Sequence, residues 1–440
     1  MKLSRYTYLF ESEGEFYMYN SQTCFFSQIG EGLYEAIINH DYESIPVEIL
    51  NDLISKKVIQ EQDDSELFYL QEKVRFEAQC HMKSHMNIVI VPTTDCNFNC
   101  PYCFEGNKTS LYMTQEVQDK IVKYLSSDSQ LKTIHITWFG GEPLMGIGIM
   151  ESLYSKIKEL EKEDKKIISQ NIVTNGYLIN RRVIDFINSA KVDSMQITID
   201  GNEESHNRLR CLKSNGKPTF KIISDNIALL LKECSDLKIA LRVNINRDNS
   251  NTFAETYRHF NSMNTERIGI SPGFIREDSV DGVCPSHSTM DERSRMRFYK
   301  KMLEEGVNVS FMPTVADYRG CMMQVVNSFV VGPQGELYKC WNDVNRPERA
   351  VGHIDDDEIL NKLTFFHMLA SSHQFADEKC RDCHLFPVCN GGCGWYRVKN
   401  LMQGTQFPLC NIGRDRHVLE QLLLLSKERG KNKGIQVIAF

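Results

Sequence analysis

The sequence predicts an α/β protein: a parallel sheet built as a partial (β/α)6 barrel, preceded by a small N-terminal module and followed by a cysteine-rich C-terminal region. Short apolar, β-branched runs at 87–92, 133–138, 169–174, 194–199, 239–245 and 267–270 alternate with helix-period segments such as Glu116–Leu125, Ile149–Leu160 and Ile222–Leu231. Repeated βα units of this kind imply parallel strands under helices. Six runs fit a partial barrel better than a closed one of eight. The third observation is that 313–415 is rich in Cys and Gly with few long periodic segments, so something other than apolar burial must hold it, and metal ligation supplies that. The predicted domains are therefore 1–80, 81–312 and 313–440.

Along the chain, alternation over Tyr6–Phe10 and Phe16–Tyr19 around a Glu13-Gly14 turn predicts a hairpin. Leu33, Ile37 and Ile38 recur at helical spacing, as do Val47, Leu50, Leu53 and Ile54, and Leu67–Leu70 is expected to return as a short strand. Polar residues from Gln71 to Ser84 then lead into the first barrel strand. After the sixth strand, 275–312 reads as a helical connection, and the basic run from Lys427 to Gly434 as a solvated tail.

Composition narrows the function classes. With 41% apolar and 25% charged residues the chain is not a disordered one. A net charge of −7 offers no overall field for nucleic acid or an anionic membrane, and neither is expected as a partner. No apolar run approaches the roughly 20 residues of a membrane span. The N-terminal MKLSRYTYLFESEGEF carries acidic residues where a secretory signal needs an apolar stretch, so a cytoplasmic location is expected. In that reducing compartment fifteen cysteines point to metal ligation rather than disulfides. Five scattered ones, Cys24, Cys80, Cys211, Cys234 and Cys284, read as small buried side chains.

Cys96, Cys100 and Cys103 lie within eight residues directly after the first strand, where parallel barrels carry active-site loops. Three thiolates on a [4Fe–4S] cubane leave one iron open for a ligand. Zinc is the competing reading, but no fourth Cys or His stands nearby. Trp138-Phe-Gly-Gly-Glu-Pro143 follows the second strand, Thr174-Asn-Gly176 ends the third and Ile197-Thr-Ile-Asp-Gly201 the fourth; each is equally a turn or strand-end cap.

The CxxxCxxC spacing, followed by βα units and these motifs in order, resembles the radical S-adenosylmethionine (SAM) superfamily. The resemblance implies that the open iron binds the amino and carboxylate groups of SAM, whose one-electron cleavage yields a 5′-deoxyadenosyl radical that takes a substrate hydrogen. It implies further that Gly140, Gly141 and Glu142 form the motif facing the cofactor's ammonium, and that Thr198 and Asp200 contact its ribose and methionyl parts. Arg210 would reach the methionyl carboxylate, Asn244 would make a similar polar contact, and Tyr102 would pack near the adenine.

The C-terminal pattern is Cys321-x13-Gly335-x4-Cys340, then Cys380-x2-Cys383-x5-Cys389-x3-Cys393, and Cys410. It resembles the SPASM extension, which implies two auxiliary [4Fe–4S] clusters and three clusters in all. Cys380, Cys383, Cys389 and Cys410 would hold one. Cys321, Cys340 and Cys393 would hold the other, with Cys284 as a fourth ligand or an iron open to a substrate thiolate. A pair of zinc ribbons is the plainer alternative. Proteins resembling this architecture modify peptides: they form thioethers or carbon–carbon cross-links, or convert a sulfatase cysteine or serine to formylglycine. Sulfatase-maturing members usually carry an acidic residue right after the second SPASM cysteine; here Trp341 follows Cys340, with Asp343 two places on. The N-terminal module resembles a winged-helix-like domain that captures a leader peptide. The expectation is thus a thioether-forming maturase of a ribosomally made precursor peptide, served by a flavodoxin- or ferredoxin-type electron donor. An iron–sulfur electron-transfer or scaffold protein is the non-enzyme alternative.

Overall fold

A computed structural model of the chain describes residues 1–105, 109–163, 165–275, 289–311, 315–316, 320–356, 358–410 and 415–430. They form two compact units, one of Met1–His81, Ser310–Val326 and Phe366–Phe440, the other of Met82–Val309 and Asn327–Phe365.

The first unit begins with β1 (Lys2–Leu3), β2 (Thr7–Ser12), β3 (Glu15–Asn20), β4 (Phe25–Ile29), α1 (Glu31–Ile38), α2 (Val47–Ser55), β5 (Ile59–Gln60) and α3 (Ser65–Cys80). The expected hairpin is β2–β3, and β4 adds a third antiparallel strand at its edge. That strand escaped the sequence because Ser27 and Gln28 interrupt its apolar pattern. Alternation gives the sheet two apolar faces: Met18 and Ile29 pack with Leu33, Ile37 and Leu53 of the helices, while Phe10, Tyr17 and Tyr19 pack with Leu385, Val388, Leu419 and Leu423. The strand expected at Leu67–Leu70 lies inside α3 instead. Tyr69, Phe76 and Cys80 bury one helical face against Val325, Phe375 and Phe386, so tertiary packing overrides the local apolar run.

The second unit runs through β6 (His85–Ile90), α4 (Gln115–Ser127), β7 (Thr133–Trp138), α5 (Ile147–Ile157), α6 (Glu159–Glu163), β8 (Ile167–Thr174), α7 (Arg181–Ala190), β9 (Ser194–Ile199), α8 (Glu203–Leu209), α9 (Phe220–Glu233), β10 (Lys238–Ile245), α10 (Phe253–Asn261), β11 (Ile268–Phe274) and α11 (Glu292–Glu304). All six expected strands form, and β6 to β11 pair in parallel and in sequential order. Side chains of Thr114, Asn180, Asn202 and Asp291 cap α4, α7, α8 and α11, each satisfying a backbone N–H that the first helical turn leaves over. Beyond the six, β12 (Ser328–Val331) pairs in parallel with β6, and β13 (Glu336–Tyr338) and β14 (Gly352–His353) extend the sheet antiparallel. The result is a nine-stranded sheet, to which a region read as weakly periodic contributes three short strands. The fold is α/β around a largely parallel sheet.

The parallel strands alternate between two faces. One is apolar: Ile136, Trp138, Ile172, Ile197 and Leu241 are fully buried, and Trp138 meets Phe186 of α7 edge-on at 6.3 Å. The other is polar and partly open. Along it His135 Nδ1 lies 2.7 Å from Ser169 Oγ, Ser194 Oγ donates to Asn171 Oδ1 at 3.1 Å, and Arg242 Nε donates to Asn244 Oδ1 at 3.0 Å.

The chain returns to the first unit through α12 (Lys362–Ser371), followed by α13 (Glu378–Arg381), α14 (Gly394–Gln403) and α15 (Arg416–Gly430). The tail expected to be solvated from Lys427 instead continues α15 to Gly430, and Lys427 donates to Gln28 Oε1 at 2.5 Å and lies over the Tyr17 ring; its remainder, 431–434, and Cys284 fall outside the described residues. Among the described residues no helix is long and apolar enough to cross a membrane.

His373, 4.8 Å from the Phe76 ring, has its pKa lowered from 6.5 to about 4 by burial and by the cations Arg397 and Lys73. The unfolded imidazole takes its proton at the higher value. Its contribution to stability is therefore complete above about pH 6.5 and is lost as pH falls toward about 4. Replacing it by glutamine (His373→Gln) is expected to flatten the decline of Tm between about pH 7 and pH 5 in thermal melts, with little change in slope at alkaline pH.

Candidate active site

The carboxyl ends of β6 to β10 carry the expected site residues. Leaving β6, the cysteine loop is fixed by its own polar side chains: Thr93 Oγ1 donates to Leu111 O at 2.7 Å and accepts from Asp95 N at 3.0 Å, and Asp95 Oδ1 accepts from Cys96 N at 2.9 Å. Cys96 Sγ accepts from Phe98 N at 3.5 Å, and Cys103 N donates to Cys100 O at 3.2 Å. Burial pushes the Cys100 thiol up to about 12, with Cys103 and Cys96 near enough to add to that rise and Arg210 opposing it. Three partly buried sulfurs in mutual electrostatic reach need a strongly positive partner to carry charge, and an iron–sulfur core is such a partner. The trio fits a three-thiolate cluster.

After β7, Gly140 and Gly141 lie flat against this loop. Gly140 has φ +136°, and a Cβ there would collide with Thr93 O; one on Gly141 would collide with the carbonyls of Thr94 and Asp95. Gly141 N donates to Thr93 O at 3.2 Å and Glu142 N to Asp95 O at 2.8 Å. The glycines thus permit backbone to meet backbone. Glu142, expected to face an ammonium group, is fully buried and accepts from Leu144 N (3.0 Å), Thr174 Oγ1 (2.7 Å) and Asn175 N (2.7 Å). Burial raises its pKa against these donors. Hydrogen bonds to a charged group contribute about 1.5–3 kcal/mol each, so three offset part of the several kcal/mol that burying a carboxylate costs. Glu142 therefore ties the β7 loop to the end of β8.

Tyr102, Asp200, Arg210 and Asn244, from four segments, meet at one point. The Tyr102 hydroxyl donates to Asp200 Oδ2 and accepts from Arg210 Nη1 at 3.1 Å and Asn244 Nδ2 at 3.4 Å. Arg210 Nη1 also stands 3.8 Å from Asp200 Oδ1, and its guanidinium lies over the Phe98 ring at 5.5 Å. Burial raises the Asp200 pKa to about 6 although Arg210 and Tyr102 both pull it down. Asp200 Oδ1 and Arg210 Nε are buried without a hydrogen-bond partner, which leaves one acceptor and one donor for a ligand. Thr198 sits apart from this knot, partly exposed on the polar face, with Arg242 as its register partner on β10.

Several supporting residues were not foreseen. His206 Nδ1 accepts from Asp200 N at 3.3 Å and its Nε2 lies 3.1 Å from Thr219 Oγ1, so the ring is a neutral spacer between the β9 end and α9, kept neutral by burial and Arg210. Asn249 donates to Asp200 O at 3.2 Å, and Asn175 Nδ2 to Asn97 Oδ1 at 2.7 Å. The sequence signal for them was a polar residue in each strand-end turn, which is common to capping residues generally.

In the first unit, Cys380, Cys383, Cys389 and Cys410 form a second group. Burial raises the first three; Cys389 feels Cys383 and Cys410, and Cys380 feels Cys389. Cys389 Sγ accepts from Gly391 N at 3.3 Å. Gly391 and Gly392 have φ of +74° and +78°, and a Cβ on Gly392 would strike Leu409 O, so glycine there lets the segment bearing Cys410 close in. This donor set also fits an iron–sulfur cluster. Of the remaining set, Cys321 is exposed, Cys393 is the residue before α14, and Cys340 belongs to the second unit. Among the described residues no three Cys, His, Asp or Glu side chains gather closely enough for a single metal ion.

Residues 90–260 match the radical SAM superfamily. The cysteine-type anaerobic sulfatase-maturating enzyme of Clostridium novyi is 24% identical over 353 residues, covering 74% of this chain and 91% of that protein. Among solved structures, native anSMEcpe with bound AdoMet and Cp18Cys peptide superposes with a TM-score of 0.60 at 18% identity, covering 79% of this chain and 98% of that one. Streptococcus suis SuiB bound to precursor peptide SuiA gives a TM-score of 0.51 at 12% identity, covering 89% and 95%. At such identities the structural likeness speaks for the fold.

Because alanine at 141 cannot coexist with the carbonyls of Thr94 and Asp95, Gly141→Ala is expected to displace the cysteine loop. Iron and sulfide analysis after anaerobic reconstitution should show about 4 fewer irons per chain than wild type. Unchanged iron would mean that the glycine contact does not shape this site.

Proposed function

This chain carries a domain of the radical SAM superfamily over residues 90–260, and from that premise we propose that it is a peptide maturase. It installs a cross-link, a thioether from a cysteine sulfur to a carbon of another residue, in a ribosomally made precursor peptide. Cys96, Cys100 and Cys103 would hold the SAM-binding cluster. Cys380, Cys383, Cys389 and Cys410 would hold one auxiliary cluster, and Cys321, Cys340 and Cys393 the other. When bound, the first cluster and SAM supply one-electron cleavage of a sulfonium C–S bond and hence an alkyl radical able to take a substrate hydrogen.

The chain's own groups do the rest. Arg210 and Asp200, locked by Tyr102 and Asn244, present a fixed positive and negative pair to the amino-acid end of the cofactor, with no reorganisation needed on binding. Thr198 and Asn244 would add polar contacts to the cofactor, and the rest of the polar sheet face, His135, Ser169, Asn171 and Ser194, offers hydrogen-bond partners to an extended peptide. Phe104, Phe139 and Trp341 stack in sequence at 6.4 and 5.3 Å, forming an apolar wall that keeps water from a reactive intermediate. At the N-terminal module, the edge strand β4 offers backbone to a leader by strand addition. A flavodoxin- or ferredoxin-type donor in the cytoplasm would supply the electron.

The observation that carries the cross-linking reading is the turn after Cys340. Trp341 is 41% exposed there, whereas Asp343 is fully buried and accepts from Arg349 Nη1 at 3.3 Å, so the turn presents an aromatic ring and no open carboxylate. The sulfatase-maturating relative favours a second reading, formylglycine formation. Mass spectrometry of a cysteine-containing precursor co-expressed with this protein, before and after thiol alkylation, separates the two: a thioether removes two hydrogens and leaves its cysteine unable to be alkylated, whereas formylglycine loses the sulfur of a cysteine or, formed from serine, leaves every cysteine thiol free to alkylate.

With dithionite and SAM under anaerobic conditions, the reconstituted protein is expected to release 5′-deoxyadenosine without any peptide; an intact clustered protein that releases none is an electron carrier or scaffold. Tyr102→Phe is expected to weaken SAM binding roughly tenfold, the effect of about 1.4 kcal/mol, measured by calorimetry on the reconstituted enzyme.

A further inference from the structure

Arg397 of α14 is a cation built into the group of C-terminal cysteines. It is only 8% exposed, and all three guanidinium nitrogens are committed. Nη1 donates to Asp377 Oδ2 at 2.8 Å, Nε to Gly391 O at 2.8 Å, and Nη2 to Cys380 Sγ at 3.3 Å. Asp377 is itself fixed, because its Oδ1 accepts from Lys379 N at 3.0 Å as the cap of α13. Gly391, whose carbonyl takes the Nε proton, uses its own N–H on Cys389 Sγ at 3.3 Å. One side chain therefore reaches two of the four sulfurs, Cys380 directly and Cys389 through one residue, Gly391.

We propose that Arg397 is a redox-tuning residue that raises the reduction potential of the auxiliary cluster held by Cys380, Cys383, Cys389 and Cys410. The inference rests on the reading that these cysteines hold such a cluster. A cluster with four thiolates carries net negative charge, and reduction adds one more. A buried cation stabilises the reduced form more than the oxidised one, and a hydrogen bond to a thiolate acts in the same direction. Asp377 offsets part of the charge while holding the fork in place, so its carboxylate works against the shift electrostatically.

The test is an EPR-monitored redox titration in the Cys96/Cys100/Cys103 triple alanine background, where only auxiliary clusters remain; the relevant signal is the one lost on adding Cys383→Ser. Arg397→Gln is expected to lower the reduced-to-oxidised ratio at a given ambient potential roughly tenfold, about 59 mV for a one-electron couple. Arg397→Lys, which keeps the charge without the fork, should fall between. An unmoved potential with iron content intact overturns the proposal. If the glutamine variant loses the cluster's iron, Asp377→Asn decides: a raised potential supports the proposal, and an unchanged or lowered one overturns it. A triple alanine background without iron overturns the auxiliary-cluster reading and this inference with it, an outcome distinct from iron present at an unmoved potential.

Discussion

The site in the second unit depends on one close contact, backbone against backbone, between Gly140-Gly141 and residues 93–95. No side chain can occupy that space, so the loop after β7 serves as a flat bed on which the cysteine loop lies. The contact is extended on one side by Glu142, whose buried carboxylate binds the ends of β7 and β8 together, and on the other by the Tyr102 hydroxyl, which gathers Asp200, Arg210 and Asn244. Three cysteine sulfurs are thereby presented from a loop whose backbone is fixed by these contacts and by the burial of Phe98 and Met113. Preorganisation of this kind is what a reaction through a radical needs, since a misplaced hydrogen-atom acceptor finds other bonds to attack.

A second constraint acts on the sheet as a whole. Parallel sheets are commonly buried on both faces, yet here helices cover one face while the other carries histidine, serine, asparagine and arginine side chains. The apolar face supplies the stability. The polar face can then be given to binding, because its strands are already held by the packing behind them. Arg242 beside Asn244 shows how the two roles combine: residues one step away, Leu241, Val243 and Ile245, are buried core.

The C-terminal cysteines obey a different rule. Their segment was expected to lack an apolar core, yet it buries Phe375, Leu385, Phe386 and Val388 against the N-terminal elements, and glycines with positive φ at 391 and 392 permit close approach around the sulfurs. Buried thiols kept neutral by desolvation are unfavourable to ionise alone, and the proposed cluster would supply the positive partner that lets them carry charge. Arg397 and Asp377 anchor that arrangement, while β2 and β3 pack against the neighbouring segment through Phe10, Tyr17 and Leu385.

Much of this was legible in the residues taken in order. Strands β6 to β11 follow from apolar β-branched runs separated by helical periods, and the cysteine groups follow from spacing, since both signals are local along the chain. The N-terminal hairpin was visible for the same reason. What the order of residues left undecided were long-range choices: that β12, from the cysteine-rich region, pairs beside β6; that Tyr69, Phe76 and Cys80 make one helical face where a strand was expected; and that Tyr102, Asp200, Arg210 and Asn244 meet. Local periodicity determines which elements form, because backbone hydrogen bonding and side-chain direction repeat over a few residues. Which elements touch, and so which polar groups lose water and find each other, is decided only when the whole chain competes for the same buried space.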